Sequence, residues 1–276
     1  MTSTDIASPA AGPATYATGK DLTVELAGGV LSVTLNRPDS LNSLTEEMLT
    51  GLADAMEQAA TDPRVKVVRL GGAGRGFSSG AGISEEATAG RSGGIPTSVI
   101  DEANRAVRAI ATQPHPVVAV VQGPAAGLGV SLALACDVVL ASDTAFFMLA
   151  FTKIGLMPDG GASTLIAAAV GRIRAMRMAL LAERIPATEA LDWGLVTAVY
   201  PADSFDAEVD KIIHALADGP AVAFGKTKHA INAATLTELE DTFQREKQGQ
   251  SVLLESRDFV EGTAAFQQRR KPKFTD

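Results

Sequence analysis

An α/β core carrying a helical C-terminal appendage is the fold class the sequence predicts, and three observations predict it. Short β-branched apolar runs alternate with amphipathic helical stretches over the first two thirds of the chain. One of those runs, 117–121 (VVAVV), is apolar at every position, as expected of a strand covered on both faces in a mainly parallel sheet. From residue 204 onward the pattern is helical to the end.

The elements follow in order. Residues 1–19 are rich in Ala, Ser, Thr and Pro and read as a loose tail without the basic start and apolar stretch of a secretory signal. Strands at 22–26 and 30–35 flank Gly28-Gly29, a hairpin signal. A polar loop, 36–42 (NRPDSLN), leads to Ser43, a plausible N-cap for a helix to about residue 60 with Leu44, Met48, Leu52 and Met56 on one face. A strand at 65–70 runs into a glycine-rich turn, 71–82 (GGAGRGFSSGAG). That turn lacks the Gly-Lys-Ser/Thr ending of a nucleotide P-loop and the GxGxxG spacing of a dinucleotide site. A polar stretch to Pro96 reads as a surface loop, and a helix at 98–112 precedes the 117–121 strand.

Gly123 and Pro124 stop that strand, and a helix starts at Leu128 with Leu128, Leu132 and Cys136 every four residues. A strand at 137–141, an apolar run at 145–151 and a turn at 153–161 (KIGLMPDGG) come next. Helices at 161–169, 171–182 and 187–193 and a strand at 196–199 complete the α/β part. Four helices, 204–217, 220–234, 236–253 and 256–268, close the chain. The expected division is therefore a tail at 1–19, a core at 20–203 and a helical region at 204–276.

Composition excludes several function classes. The chain has 276 residues, 46% hydrophobic and 20% charged, with a formal net charge of −8, which argues against a polyanion-binding surface and so against nucleic acid as a partner. No apolar run approaches the roughly 20 residues of a membrane span. Cys136 is the single cysteine, so no disulfide forms within the chain and a reducing, cytoplasmic location fits.

Two small-residue turns stand out chemically. A strand feeding such a turn and then a helix start exposes backbone N–H groups at the positive end of a helix dipole. That suits an oxygen that gains charge during reaction. It also suits a tightly packed strand–helix corner, and on these residues alone both readings stand.

The segments LNRPDSLNSL, GRGFSSGAGI, VQGPAAGLGVSLALACDVVLAS, KIGLMPDGGAS and LLAERIPATEALDWGLVTAVYP, with the ending FQQRRKPKF, resemble the crotonase superfamily, the enoyl-CoA hydratase/isomerase family, from about Asp21 to the C-terminus. The resemblance implies a repeated ββα core, a C-terminal helical region that builds trimers or dimers of trimers, and acyl-CoA thioester substrates with no separate cofactor and no metal. It implies an enolate held by two backbone amides, which fall at Ala81 and Leu128. It places the CoA nucleotide against Asp39, Ser40 and Leu41 and the edge from Ser79 to Ile83, and a CoA phosphate near Arg269. Asp39 stands where some relatives carry lysine, and Gly82 where many carry aspartate.

Hydratases of the family use two glutamates, at positions that match Ser131 and Phe151 here. Adding water to a double bond needs a base for water and a proton for the α-carbon, and neither side chain supplies them. Asp159 matches the acid/base aspartate of dienoyl-CoA isomerases and the nucleophilic aspartate of chlorobenzoyl-CoA dehalogenases. Phenylacetate-pathway epoxide-CoA isomerases also combine phenylalanine at the 151 position with Pro-Asp in this turn. The dehalogenase chemistry further needs a histidine base, and none occurs between residues 82 and 114. His115, His214 and His229 read as surface or helix-packing residues. The expectation is an isomerase that moves a double bond with Asp159 as its one acid/base. A catalytically silent acyl-CoA binder and an atypical hydratase are the alternatives, and an N-cap role for Asp159 is the structural one.

Overall fold

The structure is a computed structural model that describes residues 15–82 and 97–276. Strands β1 (Leu22–Ala27) and β2 (Val30–Leu35) form the expected antiparallel hairpin. Then β2, β3 (Val67–Gly72), β4 (Val117–Val121), β6 (Val138–Ser142) and β9 (Ala198–Tyr200) pair in parallel, giving a sheet of order β1-β2-β3-β4-β6-β9. A small second sheet joins β5 (Ala125–Ala126), β7 (Phe146–Met148) and β8 (Ile185–Pro186).

Alternation along the strands sends side chains to two cores. Val68, Leu70, Val117, Ala119 and Val121 join the larger core with α1 (Glu46–Ala59), α2 (Thr97–Thr112) and α3 (Leu128–Ala135). Val67, Val118, Val120 and Leu140 face Phe205, Val209 and Ile213 of α6 (Phe205–Ala217) on the other side. Covered on both faces, β4 is buried at all five positions, which is why it reads as an unbroken apolar run.

The remaining helices are α4 (Ala162–Leu181), α5 (Ala187–Trp193), α7 (Ala221–Thr235), α8 (Leu239–Leu253) and α9 (Arg257–Gln267). The span α4 holds two helices that meet at a kink at Gly171 (φ 76°, ψ 162°), as the sequence suggests.

Three local expectations change. The cap of α1 is Thr45, whose hydroxyl accepts from the Met48 amide at 3.2 Å. The Ser43 hydroxyl is instead engaged with Arg37 and Ser40. Strand β3 begins two residues late because Val65 closes a turn onto Asp62, and it extends to Gly72 opposite Leu35. Residues 15–19 are tied down at Tyr16, which is buried and donates its hydroxyl to Asp62 at 3.1 Å; residues 1–14 lie outside the described chain. Among the described residues no helix is long and apolar enough to cross a membrane.

Candidate active site

The site grows from the carboxyl ends of β3 and β4, where ligands collect in open α/β sheets. The turns after these strands are stitched together by backbone: Phe77 and Ser78 amides donate to the Pro124 carbonyl, and the Ala126 amide donates to Ser78 at 2.8 Å. Gly80 sits at φ 88°, and a Cβ there would lie 2.8 Å from the Ala126 carbonyl oxygen and 3.4 Å from the Leu128 nitrogen. Only glycine allows that backbone so close. The approach sets Ala81, the next residue, beside the first turn of α3.

Gly127 (φ 53°, ψ −129°) precedes α3, and its amide is pinned by the Met148 carbonyl of β7 at 2.9 Å. Helix α3 is buried nearly all round, so its dipole acts through protein rather than water. Leu128 is its first residue. Neither the Ala81 nor the Leu128 amide donates a hydrogen bond among the described residues. Leu44 flanks Ala81 instead through its contacts with Gly80 and Gly82.

The polar loop locks onto the same turn. Asp39 and Ser40 are exposed in a short 3-10 turn, Pro38–Ser40, and Leu41 follows at φ 55°. The Ser79 amide donates to the Leu41 carbonyl at 2.8 Å and its hydroxyl to the Ser40 carbonyl at 2.9 Å. Asn42 is the hidden fastener. Fully buried, it accepts from the Arg37 amide and donates to the Ala73 and Gly76 carbonyls at 2.9 and 2.8 Å. Gln122 likewise donates to the Gly72 and Gly76 carbonyls. Neither residue is picked out by sequence reasoning; their signal is an amide next to a glycine turn, which many surface loops share. Ile83 lies outside the described residues. Arg269 is exposed just past α9 at φ 54°, and its guanidinium makes no hydrogen bond or ion pair among the described residues, so within one chain it is not joined to the loop.

Ser131 and Phe151, the positions that the resemblance matches to hydratase glutamates, both lie near the start of α3. Ser131 is fully buried and donates its hydroxyl to the Asp159 backbone carbonyl at 2.8 Å. The Phe151 ring comes within 3.8 Å of where a Cβ of Gly127 would be, so it shields the start of α3. Helix α9 supports it by packing against the Phe151–Ile154 turn, with Gly262 close on Ile154 and Gly155 close on Asp258.

Asp159 lies across the first turn of α3, since Gly160 packs against both Leu128 and Ser131. It does not cap α4. That role belongs to Glu246 of α8, whose carboxylate accepts from the Gly161 and Ser163 amides at 2.7 and 2.8 Å. The Asp159 carboxyl accepts one hydrogen bond at Oδ2, from Gln250 Nε2 at 2.9 Å, while Oδ1 is buried and unpartnered among the described residues. Burial raises its pKa to about 7, against a lowering by the Gln250 bond and with a further rise from the nearby Glu246 charge. Glu246 and Gln250 are absent from any sequence motif quoted above.

Among the described residues, no cluster of three or more His, Cys, Asp and Glu side chains could hold a metal ion. Cys136 is buried and its thiol is raised out of the reactive range by burial, so it is a packing residue.

Similarity to known proteins identifies the family of the chain. The family profile described as "Enoyl-CoA hydratase/isomerase" matches residues 25–276. A "1,2-epoxyphenylacetyl-CoA isomerase" of Escherichia coli (strain K12) is 37% identical, over 90% of this chain and 95% of its own. A "Probable enoyl-CoA hydratase" of Rhodobacter capsulatus is 40% identical, over 91% of this chain and 96% of its own. The crystal structure of an enoyl-CoA hydratase from Mycobacterium avium subsp. paratuberculosis K-10 is 74% identical, with a TM-score of 0.87, covering 93% of this chain and 99% of that one.

Proposed function

The chain belongs to the enoyl-CoA hydratase/isomerase family, and within it we propose that its reaction is the shift of a double bond in an enoyl-CoA. The observation that carries this reading is the unpartnered, buried Oδ1 of Asp159, a carboxyl held near neutral pKa beside the start of α3. A base of that pKa is far better matched to proton transfer at neutral pH than an ordinary aspartate.

In the proposed reaction, the Asp159 carboxylate takes a proton from C2 of a 3-enoyl-CoA. The C2–H electron pair becomes the C1–C2 double bond of a dienolate, and the thioester carbonyl pair moves onto oxygen. The Ala81 and Leu128 amides donate to that oxygen, a stabilisation typically worth roughly 100- to 1,000-fold per donor. The carbonyl then re-forms, the remaining pairs shift to place the double bond between C2 and C3, and C4 takes the proton back from Asp159. Water is not consumed. That the Ser131 hydroxyl is committed to a carbonyl and that Phe151 is apolar supports isomerisation over hydration.

In this reading Asp39, Ser40, Leu41, Ser79 and Ile83 bind the CoA portion, with Leu128, Ser131 and Phe151 around the acyl end. Residues 20–203 build the site, and residues 204–276 close it and associate in a homotrimer or dimer of trimers. Exposed Val222 and Ile231 on α7, Val252 on α8, and Val260 and Phe266 on α9 support such association. Arg269 then meets a CoA phosphate in a neighbouring subunit.

The test is an ultraviolet assay for conjugated thioester with a panel of 3-enoyl-CoA substrates, beside Asp159→Asn and with 2-enoyl-CoA offered separately. Conjugation by the wild type that Asp159→Asn loses, without hydration, supports the isomerase. Hydration overturns it. Acyl-CoA binding that raises Tm without turnover of any substrate, an epoxide-bearing acyl-CoA included, assigns the chain as a binder.

A further inference from the structure

Helix α8 reaches the acid from more than eighty residues away in sequence. One of its faces, Glu246, Gly249 and Gln250, docks on the 157–163 segment, and leaving the Cβ off Gly249 makes room for the Met157 sulfur. Building on the isomerase reading, we propose that Gln250 and Glu246 are positioning residues that hold the Asp159 carboxyl so that Oδ1 alone carries its exchangeable proton.

The orientation of the Gln250 amide follows from its partners. The Met157 N–H can only donate, so the group it meets at 3.2 Å is Oε1. The other end of the amide is then Nε2, which can only donate, and it meets Asp159 Oδ2 at 2.9 Å. An oxygen facing an N–H donor is a poor place for a proton. When Asp159 is protonated the proton therefore sits on Oδ1, the oxygen with no partner among the described residues. One oxygen takes the proton from C2 and gives it to C4, and the carboxyl need not rotate between the steps.

Glu246 adds charge without competing for the site. Both of its oxygens are occupied by amides of the 161–163 segment, so it cannot share the Asp159 proton. Its negative charge nonetheless makes Asp159 more basic, in the same direction as burial. Burial also raises Glu246 itself, opposed first by a hydrogen bond from the Ser163 side chain, then by those two amides and by Arg245. The groups facing Asp159 are thus Gln250 and Glu246 from α8 and, at its backbone carbonyl, Ser131 from α3.

The experiment titrates carboxyl-13C-labelled aspartate by NMR in the full-length protein, the Asp159 resonance being identified by its absence in Asp159→Asn. The variants are Gln250→Glu and Glu246→Gln, each also assayed for kcat and KM against pH. In Gln250→Glu the new carboxyl keeps an acceptor for Met157 but sets an oxygen against Oδ2, so the Asp159 midpoint rises by about one pH unit or more. In Glu246→Gln the midpoint falls, by about half a unit. In both, kcat changes with pH in step with the resonance while KM moves little. Gln250→Leu, which leaves the Met157 amide without its acceptor, reports the purely structural cost through Tm.

Midpoints in both variants within about 0.2 unit of the wild type overturn the proposal. Its failure is distinct from failure of the isomerase reading. If Asp159→Asn keeps full isomerase activity, or if the wild type turns nothing over, the catalytic reading falls while the NMR midpoints still decide what Gln250 and Glu246 do to Asp159.

Discussion

The two halves of the candidate site are built from different materials. The Ala81 and Leu128 amides are placed by backbone: two turns zipped together by main-chain bonds, a glycine at each point of closest approach, and a helix start. Asp159 is placed by side chains, those of Gln250 and Glu246, from a helix at the far end of the chain. A backbone donor tolerates most changes of side chain, because every residue except proline carries the N–H. A side-chain acid depends on its neighbours for both direction and pKa. At the donor residues themselves the first half is therefore insensitive to the side chain, the second is acutely sensitive to it, and that contrast can be broken experimentally.

The largest expected effect is at the acid. Asp159→Asn keeps an acceptor for Gln250 but cannot take the C2 proton, and it lowers isomerase kcat by about 1,000-fold, within the range for general acid–base groups. Steady-state kinetics checks this, with circular dichroism to confirm the fold. On the backbone half, Leu128→Pro removes one N–H at a helix position where proline is otherwise accepted and costs about 100- to 1,000-fold in kcat. Leu128→Ala keeps the amide and costs less than about tenfold in kcat, although it gives up roughly 2–3 kcal/mol of packing by a buried leucine, seen in urea melts. Equal losses in kcat for the two variants at Leu128 would break the distinction between backbone and side chain.

Stability against pH gives a smaller effect with a definite sign. The folded pKa of Asp159, about 7, lies above its ordinary value of 3.8, so between roughly pH 4 and 7 the folded protein holds a proton that the unfolded chain has lost. The stability owed to that proton is whole below the unfolded pKa and is lost as the pH rises through the folded one. Asp159→Asn escapes this loss. Relative to the wild type it gains about 1–3 kcal/mol between pH 4 and pH 8, measured by urea unfolding at both values.

Smallest is Ser131→Ala, which removes a hydroxyl bonded to the Asp159 carbonyl: about 1 kcal/mol of stability and less than tenfold in kcat.

Legibility in the sequence divides along the same line. The β1–β2 hairpin, β4, α3 and α5 are readable because apolar period, glycine and proline all agree there. The two turns are readable too, since a backbone site advertises itself by small residues. The start of α1 misleads because Ser43 and Thr45 are both good caps, and only Arg37 and Ser40, arriving from the loop, decide which hydroxyl is free. Asp159 looks like a cap because it precedes a helix. The amides it would cap are taken by Glu246, 85 residues beyond Gly161, and no local pattern announces that. In QREKQGQ, Glu246 and Gln250 resemble any solvated helix face. Their burial follows only from the docking of α8 on the turn after Phe151. Asn42 is hidden for the same reason: a buried amide in a polar loop matters through the carbonyls that reach it.

The most direct measurement of the central claim is the pH dependence of kcat/KM for 3-enoyl-CoA isomerisation by the wild-type protein. Asp159 acting as the base predicts a single ionisation near pH 7, with the rate falling tenfold for each pH unit below it and level above it. A profile that stays level down to pH 5, as an ordinary carboxylate or no ionising base would give, contradicts the account.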